Sequence, residues 1–153
     1  DYFEKVNKGK YDPLFDQAKK LNNVNYIGYK PHEYIMENIT DYQIWCHPSC
    51  WEETFCIGAL EAMAAGIYMI CTNYGALYET CSEWPVYVNY TQDYKKLAQT
   101  FGQAIDMACQ QLGEDYLEDH LDAQQLHAKR FYDWNKKGGE WEIFLQGAIS
   151  AKS

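Results

Sequence analysis

Residues Pro48 to Thr80 read PSCWEETFCIGALEAMAAGIYMICTNYGALYET. The stretch begins polar, passes into an alanine-rich run that ends on Gly66, and continues into the apolar run IYMICT. That order is a loop feeding a helix, with the glycine as its stop. Gln43 to His47 (QIWCH) before it and Ile67 to Thr72 (IYMICT) after it have the β-branched and aromatic content of short buried strands. The unit is therefore strand, loop, helix, strand, and a helical crossover joins parallel strands.

Such a unit places the loop after its first strand, and the N-terminus of its helix, at the carboxyl edge of the sheet, where open α/β folds bind ligands. The N–H groups of the first helical turn, expected over Phe55 to Gly58, suit anionic or hydroxyl-bearing ligand atoms. Gly58 has no side chain to obstruct that approach. Glu53 in the loop and Glu61 in the helix stand eight positions apart. Carboxylates only accept hydrogen bonds, which suits the vicinal hydroxyls of a sugar. The alternative for both is a solvated surface charge. It is the weaker alternative for Glu61, which sits among Ala59, Leu60, Ala62, Met63 and Ala64.

The run ETFCIGALEAMAAG from Glu53 to Gly66, followed by TNYGALYET from Thr72 to Thr80, resembles the donor-binding core of retaining glycosyltransferases with the GT-B fold. Within that fold it is similar to the group 1, or family 4-like, enzymes, which include sucrose synthases, glycogen synthases and many bacterial mannosyl- and glucosyltransferases. Their E-x7-E motif falls on Glu53 and Glu61. The resemblance implies that Glu61 bonds the nucleotide ribose. It makes Glu53, which would meet sugar hydroxyls, the candidate catalytic group. It also implies that the backbone of Phe55, Cys56, Ile57 and Gly58, with the loop at Gly75, Ala76 and Leu77, meets sugar and phosphates. Tyr132-Asp133-Trp134, followed by Glu140-Trp141 and Leu145, is similar to the family's C-terminal helix, so the likeness runs from about Val24 to Leu145. The family often has glycine after the first Glu and after the Phe, where this chain has Thr54 and Cys56. Glu52 directly precedes Glu53 and competes with it for the same role.

At 153 residues, 47% of them hydrophobic, the chain is long enough to bury a real core as one domain. A net charge of −9 argues against nucleic acid or an anionic membrane surface as the main partner. No apolar run approaches the roughly 20 residues that span a bilayer. Cysteines at 46, 50, 56, 71, 81 and 109 form no Cys-x-x-Cys pair and are read as reduced, in a cytoplasmic compartment, with Cys46 and Cys71 in core strands. His47 with Cys46 and Cys50 fits no structural zinc spacing, and no metal is expected.

In chain order, Asp1 to Lys10 reads as a loop or frayed start. Asp12 as N-cap and Pro13 open a helix ending near Asn22-Asn23. Val24 to Tyr29 alternates like a strand, and a helix follows from Pro31 to about Ile39. After the central unit, Val86 to Val88 is a last short strand. Helices are expected from Thr91 until Gly113, from Asp115 to Phe131, and from about Lys136 through Leu145, covering the sheet.

The expected fold is α/β: a Rossmann-like open parallel sheet of about four strands with C-terminal helices, an incomplete GT-B C-terminal domain. Residues 1–153 are expected to form one nucleotide-sugar-binding domain that lacks the first strands, and with them the basic pair that the family carries there. Arg130 is the single arginine, in a distal helix, against twelve lysines. The implied reaction is transfer of a sugar from a nucleotide diphosphate sugar to an acceptor hydroxyl with retention. It needs no cofactor and, as no Asp-x-Asp occurs, no metal. The acceptor would be held mainly by a missing N-terminal domain, so the chain alone is expected to be inactive. Two other readings stay open, a non-catalytic binding module derived from a glycosyltransferase and an unrelated doubly wound domain. The second is weakened by the absence of G-x-G-x-x-G.

Overall fold

The structure, a computed structural model, describes residues 9–151. The start expected as loop therefore lies, up to residue 8, outside the described residues. The chain divides between Glu37 and Asn38 into two compact units.

Helix α1 spans Asp12–Lys19 in the first unit, and helix α2, His32–Asn38, ends at the boundary. Pro13 occupies the first turn of α1, where its missing N–H costs nothing. Asp12 is a first-turn residue rather than the expected cap, which is Tyr11 with no side-chain cap bond. Val24 to Tyr29, expected as a strand, has no regular secondary structure. Its alternation reflects contacts with α1 instead: the Tyr26 ring stacks on Phe15 at 5.2 Å, and Lys19 Nζ lies 5.4 Å from the Tyr26 ring centroid.

The second unit holds the sheet. Its strands β1 (Ile44–His47), β2 (Tyr68–Thr72) and β3 (Val86–Val88) run in the order β1-β2-β3 with both pairs parallel. The described residues thus form three strands where about four were expected. Helix α3 (Ile57–Ala65) is the predicted crossover. Gly66, at φ +73, ends it by turning left-handed and donating its N–H to the carbonyls of Ala62 and Met63. A short α4 (Leu77–Cys81) leads to β3, and α5 (Tyr94–Gln111), α6 (Asp115–Phe131) and α7 (Trp134–Ser150) follow. The Asp93 carboxylate caps α5 through the Lys96 amide, and the Asp133 carboxylate caps α7 through those of Asn135 and Lys136.

All five residues of β2 are buried, as befits a central strand with both faces covered. Met69 and Cys71 point to one face and join Ala59, Ala62 and Met63 of α3, Leu77 and Cys81 of α4, and Ala128 of α6. Tyr68 and Ile70 point to the other and join Val88, Leu97, Phe101 and Ala108, the last three from α5. Each large apolar side chain so buried contributes roughly 1.5–3 kcal/mol. Gln124 of α6 ties the layers, its Nε2 donating to the Ile67 carbonyl at 3.0 Å.

Two expectations about covering are corrected. Cys46 is exposed rather than in the core, because β1 is an edge strand. No residue of α7 is buried, and Trp134, Trp141, Ile143, Phe144 and Ile149 are each more than 60% exposed, so that helix does not cover the sheet.

Candidate functional site

The three parallel strands end at His47, Thr72 and Val88, so the loops that follow them share the carboxyl edge of the sheet. Glu53 is held within this edge. Its Oε1 lies 3.2 Å from His47 Nε2 and accepts from the Ser49 hydroxyl at 3.2 Å. His47 closes β1, and its ring is stacked on Trp45 at 4.9 Å with 13° between planes. Ser49 is fixed in turn, because the Thr72 hydroxyl at the end of β2 donates to its carbonyl at 3.0 Å. Glu52 is exposed, so the loop presents Glu53 rather than its neighbour to this network.

The loop after β2 is latched onto the main chain of Glu53. The Ala76 N–H donates to the Glu53 carbonyl at 2.7 Å. Gly75 stands at φ +65, and a Cβ there would come within 2.5 Å of both the backbone N and O of Glu53. Gly75 is therefore required by the approach of one loop to another, a nearer reason than the approach of a ligand. Asn73 extends the latch to the third loop, its Nδ2 donating to Asn89 Oδ1 at 2.8 Å and its Oδ1 accepting from the Tyr90 N–H at 2.9 Å. The rings of Tyr74 and Tyr90 stack above it at 4.0 Å.

The remaining candidates fall around the start of α3. The helix begins at Ile57, so Phe55 and Cys56 precede its first turn. Ile57 is 59% exposed, and nothing lies within 4 Å of a Cβ built on Gly58, which leaves that surface open. The Ala59 N–H is taken by the Cys56 carbonyl at 3.1 Å. Cys56 caps the helix at φ +67, a left-handed conformation unusual for a side chain with a Cβ. Burial pushes its thiol pKa up, and the negative charges of Glu53 and Glu61 add to the effect. Glu61 is half-buried in the second turn of α3. Leu77 is fully buried, so only its main chain is available to a ligand.

His47 and Ser49 were not among the residues singled out from sequence as site groups. The signal for His47 was its place as the last residue of a strand that feeds the site loop. The end of α6 also comes to this edge, since Tyr132 meets Phe55 edge-on at 6.3 Å and its hydroxyl donates to the Thr80 carbonyl at 3.1 Å. Arg130, distant in sequence, is two residues from that contact.

The family model for glycosyl transferases group 1 matches residues 7–115, most of the chain. The chain belongs to this family. No curated protein matches it. The matched residues of this group 1 glycosyltransferase domain include all three strands and α3, and they end at the first residue of α6. The likeness read at Tyr132 to Leu145 thus falls beyond them. Glycosyl transfer is the family's general function, with a nucleotide sugar and an acceptor as substrates. Among the described residues no helix is long and apolar enough to cross a membrane.

Proposed function

We propose that this chain is the donor-binding half of a retaining glycosyltransferase that moves a sugar from a nucleotide diphosphate sugar to an acceptor hydroxyl. The observation that carries the reading is the fixed Glu53 carboxylate at the carboxyl edge of the sheet, beside the N-terminus of α3. In this reading Glu53 accepts hydrogen bonds from sugar hydroxyls, while His47 and Ser49 hold it in position from behind. Glu61 takes the ribose hydroxyls. The amides that open α3, with the main chain from Gly75 to Leu77, receive the phosphates. Charge that develops on the leaving diphosphate would be borne by the helix N-terminus and basic side chains, without a catalytic metal. The acceptor would be held by a separate domain, and the chain alone would then bind donor without turning it over. A cytoplasmic setting fits its six free cysteines.

The test is a calorimetric and thermal-shift titration with UDP, GDP, ADP and their glucose and mannose conjugates. One nucleotide is expected to bind selectively, and Glu61→Ala to abolish that binding. A chain that ignores every nucleotide, both alone and within a longer chain carrying an N-terminal domain, overturns the reading.

A further inference from the structure

The loop network sets beside Glu53 and His47 a third side chain, Cys56, that the proposed sugar binding does not use. His47 Nε2, Glu53 Oε1 and Cys56 Sγ all lie within 4.8 Å of one another. The His–Glu separation is 3.2 Å and the Cys–His separation 3.9 Å. Zinc bonds of about 2.0–2.3 Å in a tetrahedron set neighbouring ligand atoms roughly 3.3–3.6 Å apart. Both separations to His47 are therefore close to the spacing that one ion would impose, and the third pair lies within 4.8 Å. We propose that His47, Glu53 and Cys56 form a zinc-binding site with a fourth position open to solvent.

Three further observations support it. Cys56 occupies a left-handed position that glycine would fill without strain, so the thiol is kept at a conformational cost. The other two ligands are already oriented from behind, His47 by its stack on Trp45 and Glu53 by the Ser49 hydroxyl, as outer partners orient metal ligands generally. His47 and Glu53 side chains retain 29% and 24% of their exposure, which leaves an entry path. One thiolate, one imidazole and one carboxylate favour zinc over magnesium, which takes oxygen ligands. On coordination the Cys56 thiol gives its proton to solvent and the imidazole binds in its neutral form. Coordination also occupies the carboxylate assigned above to sugar hydroxyls, so zinc and donor exclude each other. This second consequence rests on the proposed role of Glu53, while zinc binding does not.

The experiment is equilibrium dialysis of the whole chain against zinc, in a background carrying Cys46→Ser, Cys50→Ser and Cys109→Ser to remove exposed thiols. One zinc per chain is expected, with no binding of magnesium. Cobalt in place of zinc should give the absorption of a thiolate-bound tetrahedral ion. Cys56→Gly should weaken zinc binding at least tenfold and erase the cobalt–thiolate band, without loss of fold because glycine suits that backbone. His47→Gln provides a second, independent removal with the same expectation for zinc. Absence of stoichiometric zinc in the background protein, or affinity unchanged by both substitutions, overturns the site. Competition is then read by adding zinc to the nucleotide titration. Zinc binding without any nucleotide binding would count against the donor reading and leave the metal site standing, whereas donor binding unaffected by bound zinc would sink only their mutual exclusion.

Discussion

Strands β1 and β2 lie side by side, paired residue for residue from Ile44 with Tyr68 to His47 with Cys71, yet they have opposite fates. Every residue of β2 is buried, and none of β1 is. The central strand spends its side chains on two apolar layers, while the edge strand is free to end in a polar residue, His47, that organises the site. The His47–Glu53 network sits at the edge because a buried imidazole and carboxylate would have to be desolvated, and the centre of this sheet offers them no compensation. The apolar core and the candidate site are thereby separated across a single ladder of hydrogen bonds.

Truncation in the central strand is the harshest way to test that separation. Ile70→Ala should destabilise the chain by about 2–5 kcal/mol, measured as a fall in the urea midpoint at unchanged slope. Gly75→Ala attacks the latch between the loops, where left-handed backbone and the collision with Glu53 act together. A loss of roughly 3 kcal/mol is expected, with donor binding lost as well even where the chain remains folded.

Alkaline titration separates the interior from the edge by chemistry rather than by volume. Burial pushes the Cys81 thiol up to about 12, and it raises Cys71 and the Tyr87 hydroxyl too. These groups stay protonated in the folded chain but ionise once unfolded, so folding stability is full below pH 9 and falls as pH climbs toward 12. The slope should approach about 1.4 kcal/mol per pH unit for each such group. Denaturant melts between pH 8 and pH 11 would measure it, and Cys81→Ala should make the slope shallower. No dependence in that range would contradict the burial of these groups.

Cys56→Gly should leave stability equal or raise it by up to about 1 kcal/mol, since relief of the left-handed strain is offset by a more flexible unfolded chain. Cys56→Val should do the reverse. Cys46→Ala, an exposed change in the same strand as His47, should stay within about 0.5 kcal/mol.

Much of this was legible in the residues. Alanine run, terminal glycine and flanking apolar segments placed α3 between β1 and β2 nearly to the residue, since local periodicity and stop signals reflect the chain's own geometry. The bounds of α6 were likewise readable from Asp115 to Phe131. What failed were particular readings that depended on a partner in space. Val24 to Tyr29 alternates like a strand, but a strand exists only where another one pairs with it. The apolar residues of α7 looked like a core face, yet periodicity says that a face exists and not what meets it.

The site divides along the same line. Sequence by itself determined the family, the parallel strand–helix–strand unit and the carboxyl edge on which Glu53 and Glu61 are placed, because these follow from local pattern and from the handedness of the crossover. Only the tertiary structure decided that Glu53 rather than Glu52 turns inward, that Gly75 serves the contact between two loops, and that His47 and Cys56 stand beside the carboxylate. Those facts depend on atoms that are neighbours in space but six, nine and twenty-two positions apart along the chain. A distance of that kind is set by packing, and no single stretch of residues contains it.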